Sequence, residues 1–245
     1  MGGDFPGVPM SSPKPYSTVP IEECHDRLVP IQGQHLVLLD PHPYAKLGAP
    51  YGNYSPFFLR QIVLERLQQA AEALQQTHPG WTIALFDAYR PIPVQQFMVD
   101  YTFDSLAQEQ SLDSQLLRRS PGSPVAQELW QRVYQFWALP SPDPKMPPPH
   151  STGGAIDITL QNESGQAVDM GSPIDECSPR SYPNHFADAT TPGEVQFHEH
   201  RQLLATLLTD QGFMQHPNEW WHFSWGDQLW AWQSQQPTAH FGAIA

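Results

Sequence analysis

Basic charge is what this 245-residue chain has least of: 12 Lys and Arg, only three of them lysine, stand against 25 Asp and Glu, for a formal charge of −13. Binding phosphates requires clustered Lys and Arg that release counterions, so nucleic acid and an anionic membrane surface are excluded as the main partner. Cysteine is scarce as well. Cys24 and Cys177 are the only thiols, too few for a disulfide framework and in no metal-ligating spacing, so both are expected to be free. No stretch approaches the roughly 18 apolar residues of a membrane span, and residues 1–20 have neither the basic nor the apolar part of a secretory signal, so a cytoplasmic protein is expected. The G-x-S-x-G elbow, the G-x-x-x-x-G-K-[ST] loop and the G-x-G-x-x-G turn are all missing, which leaves serine-nucleophile, P-loop and dinucleotide chemistry without a motif.

What is present suffices for a folded enzyme-sized domain. Hydrophobic residues make up 40% of the chain, and at this length roughly 70% of the unfolded surface can be buried. Residues 1–20, rich in Pro, Gly and Ser, are expected to be a loose N-terminal arm, with a single domain over 21–245. Ser55-Pro56 followed by Phe58, Ile62, Val63, Leu67, Ala70, Ala71 and Leu74 has the spacing of a helix with one apolar face. Trp81–Phe86 reads as a buried strand that ends at Asp87-Ala-Tyr-Arg90-Pro91. Helices are predicted over 94–106, 124–137 and 191–211. The last opens on Thr191-Pro192 with Glu194 and ends before Gly212. Six prolines among residues 140–149 cannot form helix or central strand and predict a stiff surface loop leading into His150. Ala155–Leu160 alternates, with Ile156, Ile158 and Leu160 on one face and Asp157 on the other. Residues 220–225 and 229–232 read as two closing strands. Helices and strands do not alternate regularly, so the expected class is α+β with a central, mostly antiparallel sheet flanked by helices.

Three segments could carry chemistry. His150-Ser-Thr-Gly-Gly-Ala-Ile-Asp157 joins an imidazole to a strand carboxylate across two glycines. Glu219-Trp-Trp-His222 sets a carboxylate and an imidazole three apart among aromatics. Arg90 stands alone at a strand end. Nitrogen and oxygen donors from His150, Asp157 and His222 are the ligand types zinc accepts, and three protein ligands leave a fourth position for water. On that reading Glu219 is the general base and Arg90 faces the developing oxyanion. In a regular strand residues 219 and 222 point to opposite faces, so the chain must bend between them. Plainer readings exist for each: Asp157 as a strand carboxylate bonded to nearby N–H groups, Glu219 and His222 as part of a last core strand, Arg90 as an ordinary ion-paired arginine. His198-Glu199-His200 is the rival cluster, but i and i+2 diverge on a helix and cannot chelate one ion.

With these segments in hand the sequence resembles the D-alanyl-D-alanine dipeptidases, zinc peptidases related to the D,D-carboxypeptidases and to the metal core of the Hedgehog domain. The matching pieces run in the family's order: Asp87-Ala-Tyr-Arg90-Pro91; His150-Ser-x-Gly-x-Ala-Ile-Asp157-x-Thr-Leu160; Met170-Gly-Ser-Pro-Ile-Asp175; Arg201-x-Leu-Leu204; and Gly212-Phe213 leading to Glu219-Trp-Trp-His222-Phe223. Any one is weak, but the ordered set is specific. The resemblance implies one Zn²⁺ per chain held by His150, Asp157 and His222, with Glu219 as catalytic base and Arg90 as transition-state stabiliser. It also implies a narrow site for a small dipeptide. Pro148 departs from the family's Ser two residues before the first zinc histidine, and Thr152 and Gly153 stand where Arg and Ser are common, so the resemblance implies the zinc chemistry but not the identity of the dipeptide. The alternatives are a D,D- or L,D-carboxypeptidase acting on peptidoglycan stems and a non-catalytic zinc-containing binding module. Retention of both Glu219 and Arg90 disfavours the module, because a purely structural zinc needs neither.

Overall fold

The structure is a computed structural model that describes residues 14–244. In chain order its elements are β1 (Leu28–Pro30), β2 (Leu36–Leu38), α1 (Pro43–Lys46), β3 (Phe58–Arg60), α2 (Gln61–Thr77), β4 (Thr82–Asp87), α3 (Ile92–Glu109), α4 (Ser114–Arg119), α5 (Pro124–Phe136), β5 (Ala155–Gln161), α6 (Pro192–Thr209), β6 (Met214–Gln215), β7 (His222–Ser224) and α7 (Gln228–Gln233). The main sheet has the order β2-β4-β5-β7-β6, with β2–β4 parallel and the other pairings antiparallel, and β1 and β3 form a separate antiparallel pair. This is the α+β architecture expected, in a single domain. No helix among the described residues is long and apolar enough to cross a membrane.

The period-3.6 stripe of α2 does what its spacing requires. Val63, Leu67, Ala70 and Leu74 are fully buried and join Leu204 and Leu208 of α6 over Ile83, Leu85, Ile156, Ile158 and Leu160 of the sheet. Burial of each large aliphatic side chain contributes roughly 1.5–3 kcal/mol, so this layer fixes the sheet's strand positions. A second core joins Val94, Met98 and Phe103 of α3 to Leu129, Trp130 and Val133 of α5, with Tyr44 and Trp137 at its edge.

Several expectations shift on contact with the tertiary structure. The helix anticipated from Ser55-Pro56 begins only at Gln61, because Phe58–Arg60 pairs with Leu28–Pro30 as a strand. Residues 228–233 are helix and not strand: Asp227 Oδ1 accepts from Trp230 N at 2.8 Å and caps α7. The six-proline loop is exposed through its middle, yet Pro147, Pro148 and Pro149 are buried and wedge the chain ahead of His150. Within the arm expected over 1–20, residues 14–20 are docked. Tyr16 is buried, and the Gln228 amide donates to the carbonyls of Ser17 and Val19. Residues 1–13 lie outside the described part. Cys24 is exposed, Cys177 buried, and both are free.

Candidate active site and metal centre

The site grows out of one row across the sheet. Register pairs Asp87 of β4 with Asp157 of β5, and Asp157 with His222 of β7. Paired residues share a face, so the three side chains project together, away from the α2–α6 layer. Asp87 reaches that face only through a register shift between Leu85 and Asp87, since Leu85 points into the opposite core. A bulge at a strand end re-aims a side chain in this way.

His150 comes from a 3₁₀ turn, Pro149–Thr152, placed over the end of β4 by two bonds to the main chain of Arg90: Arg90 N donates to His150 O at 3.3 Å, and Ser151 Oγ donates to Arg90 O at 2.7 Å. The turn closes at Gly153 with φ +74°, where a Cβ would lie 2.7 Å from Leu28 Cδ1. A side chain at position 153 would therefore adopt a strained backbone conformation and displace the tip of Leu28. Thr152 is spent locally, its hydroxyl donating to Pro149 O and accepting from Gly154 N. Glu219 precedes β7 in a tight turn, with His216 N bonded to His222 O, and this is the bend that lets residues 219 and 222 face the same point.

His150 Nε2, His222 Nδ1 and an Asp157 oxygen lie within 4.8 Å of one another, all three side chains buried. His150 Nε2 is 3.2 Å from both His222 Nδ1 and Asp157 Oδ2, and His222 Nδ1 is 3.0 Å from Asp157 Oδ1. His150 Nδ1 donates to Ala88 O at 2.7 Å, which leaves the lone pair of Nε2 aimed at this point. Lone pairs from two imidazoles and a carboxylate converging at such separations call for a shared cation. A tetrahedral zinc with ligands at 2.0–2.1 Å has edges of about 3.3 Å, so the donor set fits that ion. Asp157 is held well below the usual carboxylate range: burial opposes this, but the imidazoles of His150 and His222 outweigh it. The rival cluster does not assemble, because the half-buried His200 bonds through Nδ1 to the carbonyl of Asp169.

Around this point stand groups of two kinds. Glu219 is buried, its Oε2 is 3.7 Å from His222 Nδ1, and its Oε1 has no hydrogen-bond partner among the described residues. Burial first, and then the charge of Asp157, push its carboxyl well above the ordinary range. Arg90 is buried and fully engaged. Its Nε and Nη2 donate to Asp87 Oδ2 at 2.9 and 2.6 Å, Nη1 donates to Gln95 Oε1 at 2.8 Å, and Nη2 reaches Asp157 Oδ2 at 3.3 Å. Its guanidinium also lies over the rings of Tyr44 and Trp137. A cleft open to solvent is lined by His150, Asp157, His222, Glu219 and Arg90 together with Lys14, Tyr16, Asp175 and His216.

Sequence reasoning missed the supports. Asp87 is buried and accepts from Arg90, His42 Nε2 at 2.9 Å and Tyr51 OH at 3.3 Å. Its position three residues before Arg90 was the available signal. Asp175 accepts from Tyr44 OH, and burial together with nearby Asp157 pushes its carboxyl up to about 7. His42, Tyr44 and Lys14 come from segments with no local signature, and only folding brings them here.

A buried two-histidine, one-carboxylate cluster at the edge of an antiparallel row, with a second carboxyl and a guanidinium turned toward it, belongs to the class of peptidases built around a metal centre. The comparisons give the family. A family model for Peptidase M15, described as D-ala-D-ala dipeptidase, matches residues 38–241, and the chain belongs to that family of peptidases. A D-alanyl-D-alanine dipeptidase of Synechocystis sp. is 48% identical, covering 94% of this chain and 97% of the relative. D-alanyl-D-alanine dipeptidases of Escherichia coli and Enterococcus faecium are 42% and 36% identical over shorter stretches, 30% and 32% of this chain and 36% and 37% of the relatives.

Proposed function

We propose that the protein hydrolyses the peptide bond of free D-Ala-D-Ala or a related D,D-dipeptide, with one Zn²⁺ held by His150, Asp157 and His222. The observation that carries this reading is the convergence of three lone-pair donors beside a buried, partnerless oxygen of Glu219. Zinc at such a site supplies a Lewis acid and lowers the pKa of water toward about 7. Glu219 is the general base: Oε1, lacking a partner, takes a proton from the attacking water and passes it to the leaving amine. Its raised pKa suits that task, because the protonated form must be populated between the two transfers. Arg90 faces the oxyanion that develops at the tetrahedral carbon, held rigidly by Asp87 and Gln95 so that little reorganisation accompanies the reaction. The carboxyls of Asp175 and Glu219 line the cavity, which suits the free ammonium of a dipeptide. A cytoplasmic setting belongs to the same proposal, since a free dipeptide requires no access to a wall polymer. The single-domain organisation from residue 21 onward is part of it too, with residues 14–20 docked at the mouth.

The test is D-Ala release from D-Ala-D-Ala by the zinc-loaded protein, beside Glu219→Ala and with L-Ala-L-Ala as control. D-specific hydrolysis that falls about 10²–10⁴-fold in the variant is expected, the usual cost of removing a general base. A fully metallated protein that leaves D-Ala-D-Ala intact would refute the proposal and return the carboxypeptidase and binding-module readings to the front.

A further inference from the structure

A free dipeptide carries two opposite charges, and the carboxyls that line the cavity account for only one of them. The carboxyls of Asp175 and Glu219 suit the ammonium, and the complementary partner for the carboxylate at the other end is a cation. Two non-imidazole cations line the cavity, Arg90 and Lys14. Arg90 is committed at Nε, Nη1 and Nη2 to Asp87, Gln95 and Asp157. Lys14 is not: its ammonium forms no ion pair with any described residue, and the charge it senses most is that of Glu219, which lines the same cavity.

The backbone that presents Lys14 is well held. Its carbonyl accepts from Ser17 N at 2.9 Å and Ser17 Oγ at 2.8 Å, closing a 3₁₀ turn over Pro15–Thr18. Tyr16 is buried two residues on, and the Gln228 amide ties this turn to α7 and also donates to the carbonyl of Lys145 in the proline-rich loop. The ammonium is therefore carried by a flexible stem on a fixed base, with three donors that can turn toward an anion. Partial burial without a paired anion disfavours its charge and lowers its pKa, and a bound carboxylate would relieve that cost.

We propose that Lys14 is a specificity-determining residue that receives the terminal carboxylate of the substrate, so that the site selects dipeptides with a free C-terminus. The inference rests on the dipeptidase reading above and goes beyond it, because it places one end of the substrate at the N-terminal segment. The experiment compares wild type, Lys14→Met and Lys14→Arg, all zinc-loaded, on D-Ala-D-Ala and on its C-terminal amide. A hydrogen bond to a charged group is worth about 10- to 100-fold in binding. KM for the acid should rise by about that factor in Lys14→Met with much less change in kcat, the KM for the amide should hold at its wild-type value, and Lys14→Arg should recover most of the loss. Calorimetric titration of D-Ala-D-Ala into Glu219→Gln, with and without Lys14→Met, should show the same factor in Kd. An unchanged KM for the acid in Lys14→Met, or equal losses on acid and amide, would overturn the role of Lys14 while leaving the dipeptidase reading intact. A wild type that hydrolyses neither compound would overturn both.

Discussion

Replacing Asp87 with asparagine removes a charge and almost no volume, which makes it a clean probe of what holds Arg90. Asp87 is fully buried and accepts from Arg90 Nε and Nη2, His42 Nε2 and Tyr51 OH. An amide can offer only one oxygen to these donors, and its NH₂ would meet donors in place of the other. Arg90 would keep Asp157, 3.3 Å away, as its remaining ion-pair partner among the described residues. Breaking a buried pair by removing one partner costs about 3–5 kcal/mol. For a chain of this size each kcal/mol moves the Tm by about 2–4 °C, so the variant should melt about 6–20 °C lower. The assay is thermal unfolding followed by circular dichroism, both proteins at the same metal loading. The pH dependence has a definite sign. Burial raises the Asp87 carboxyl, but Arg90 and His42 outweigh it and hold it below its ordinary 3.8. Its contribution is therefore full above about pH 4 and lost as the pH falls further, and the gap between variant and wild type should close there. A Tm within about 2 °C of wild type at pH 7 would refute the claim that Asp87 anchors Arg90.

Two further outcomes follow from the same geometry. Zinc at about 100 times its dissociation constant should stabilise the fold by about 2.7 kcal/mol, or about 5–11 °C in Tm; His222→Ala should lose that increment, and a variant that keeps it would remove His222 from the ligand set. Asp175, pushed up to about 7 from an ordinary 3.8 by burial and by Asp157, contributes stability that is present below about pH 4 and lost as the pH rises to about 7. Stability of the metal-free protein measured across that interval should decline less in Asp175→Asn than in wild type, and parallel curves would show that Asp175 does not titrate there.

Legibility in the sequence followed the strength of local patterning. α2, β4, α3, α5, β5 and α6 were readable because each carries either a sustained 3.6-residue stripe or an apolar run bounded by Pro and Gly. β7 was also readable, inside the strand expected over 220–225, but β1, β3 and β6 were not, since strands of two or three residues exist only by virtue of the partner they pair with. Residues 228–233 fell between the two periods; the cap from Asp227, reinforced by Ser224 Oγ at 2.9 Å, decides for helix. For the site, His150 and Asp157 were joined by one short motif, and Glu219 and His222 by another. How two such motifs, whose Asp157 and His222 lie 65 residues apart, would meet was not in either of them.

By itself the sequence determined the kinds of chemistry available: no phosphate-binding surface, no serine or P-loop motif, and a set of histidines and carboxylates whose order along the chain resembles one peptidase family. It also determined the core, because apolar periodicity is a local property of the chain. Only the tertiary structure decided that Asp87, Asp157 and His222 stand in one row, since that depends on strand register and on a bulge between Leu85 and Asp87. Only it decided that the turn at His216–Glu219 brings the Glu219 carboxyl to the same point as His222, that His42 and Tyr44 bond to Asp87 and Asp175, and that Lys14 lines the same cavity. Distances of about 3 Å between side chains far apart in sequence arise from packing, and no local pattern encodes them.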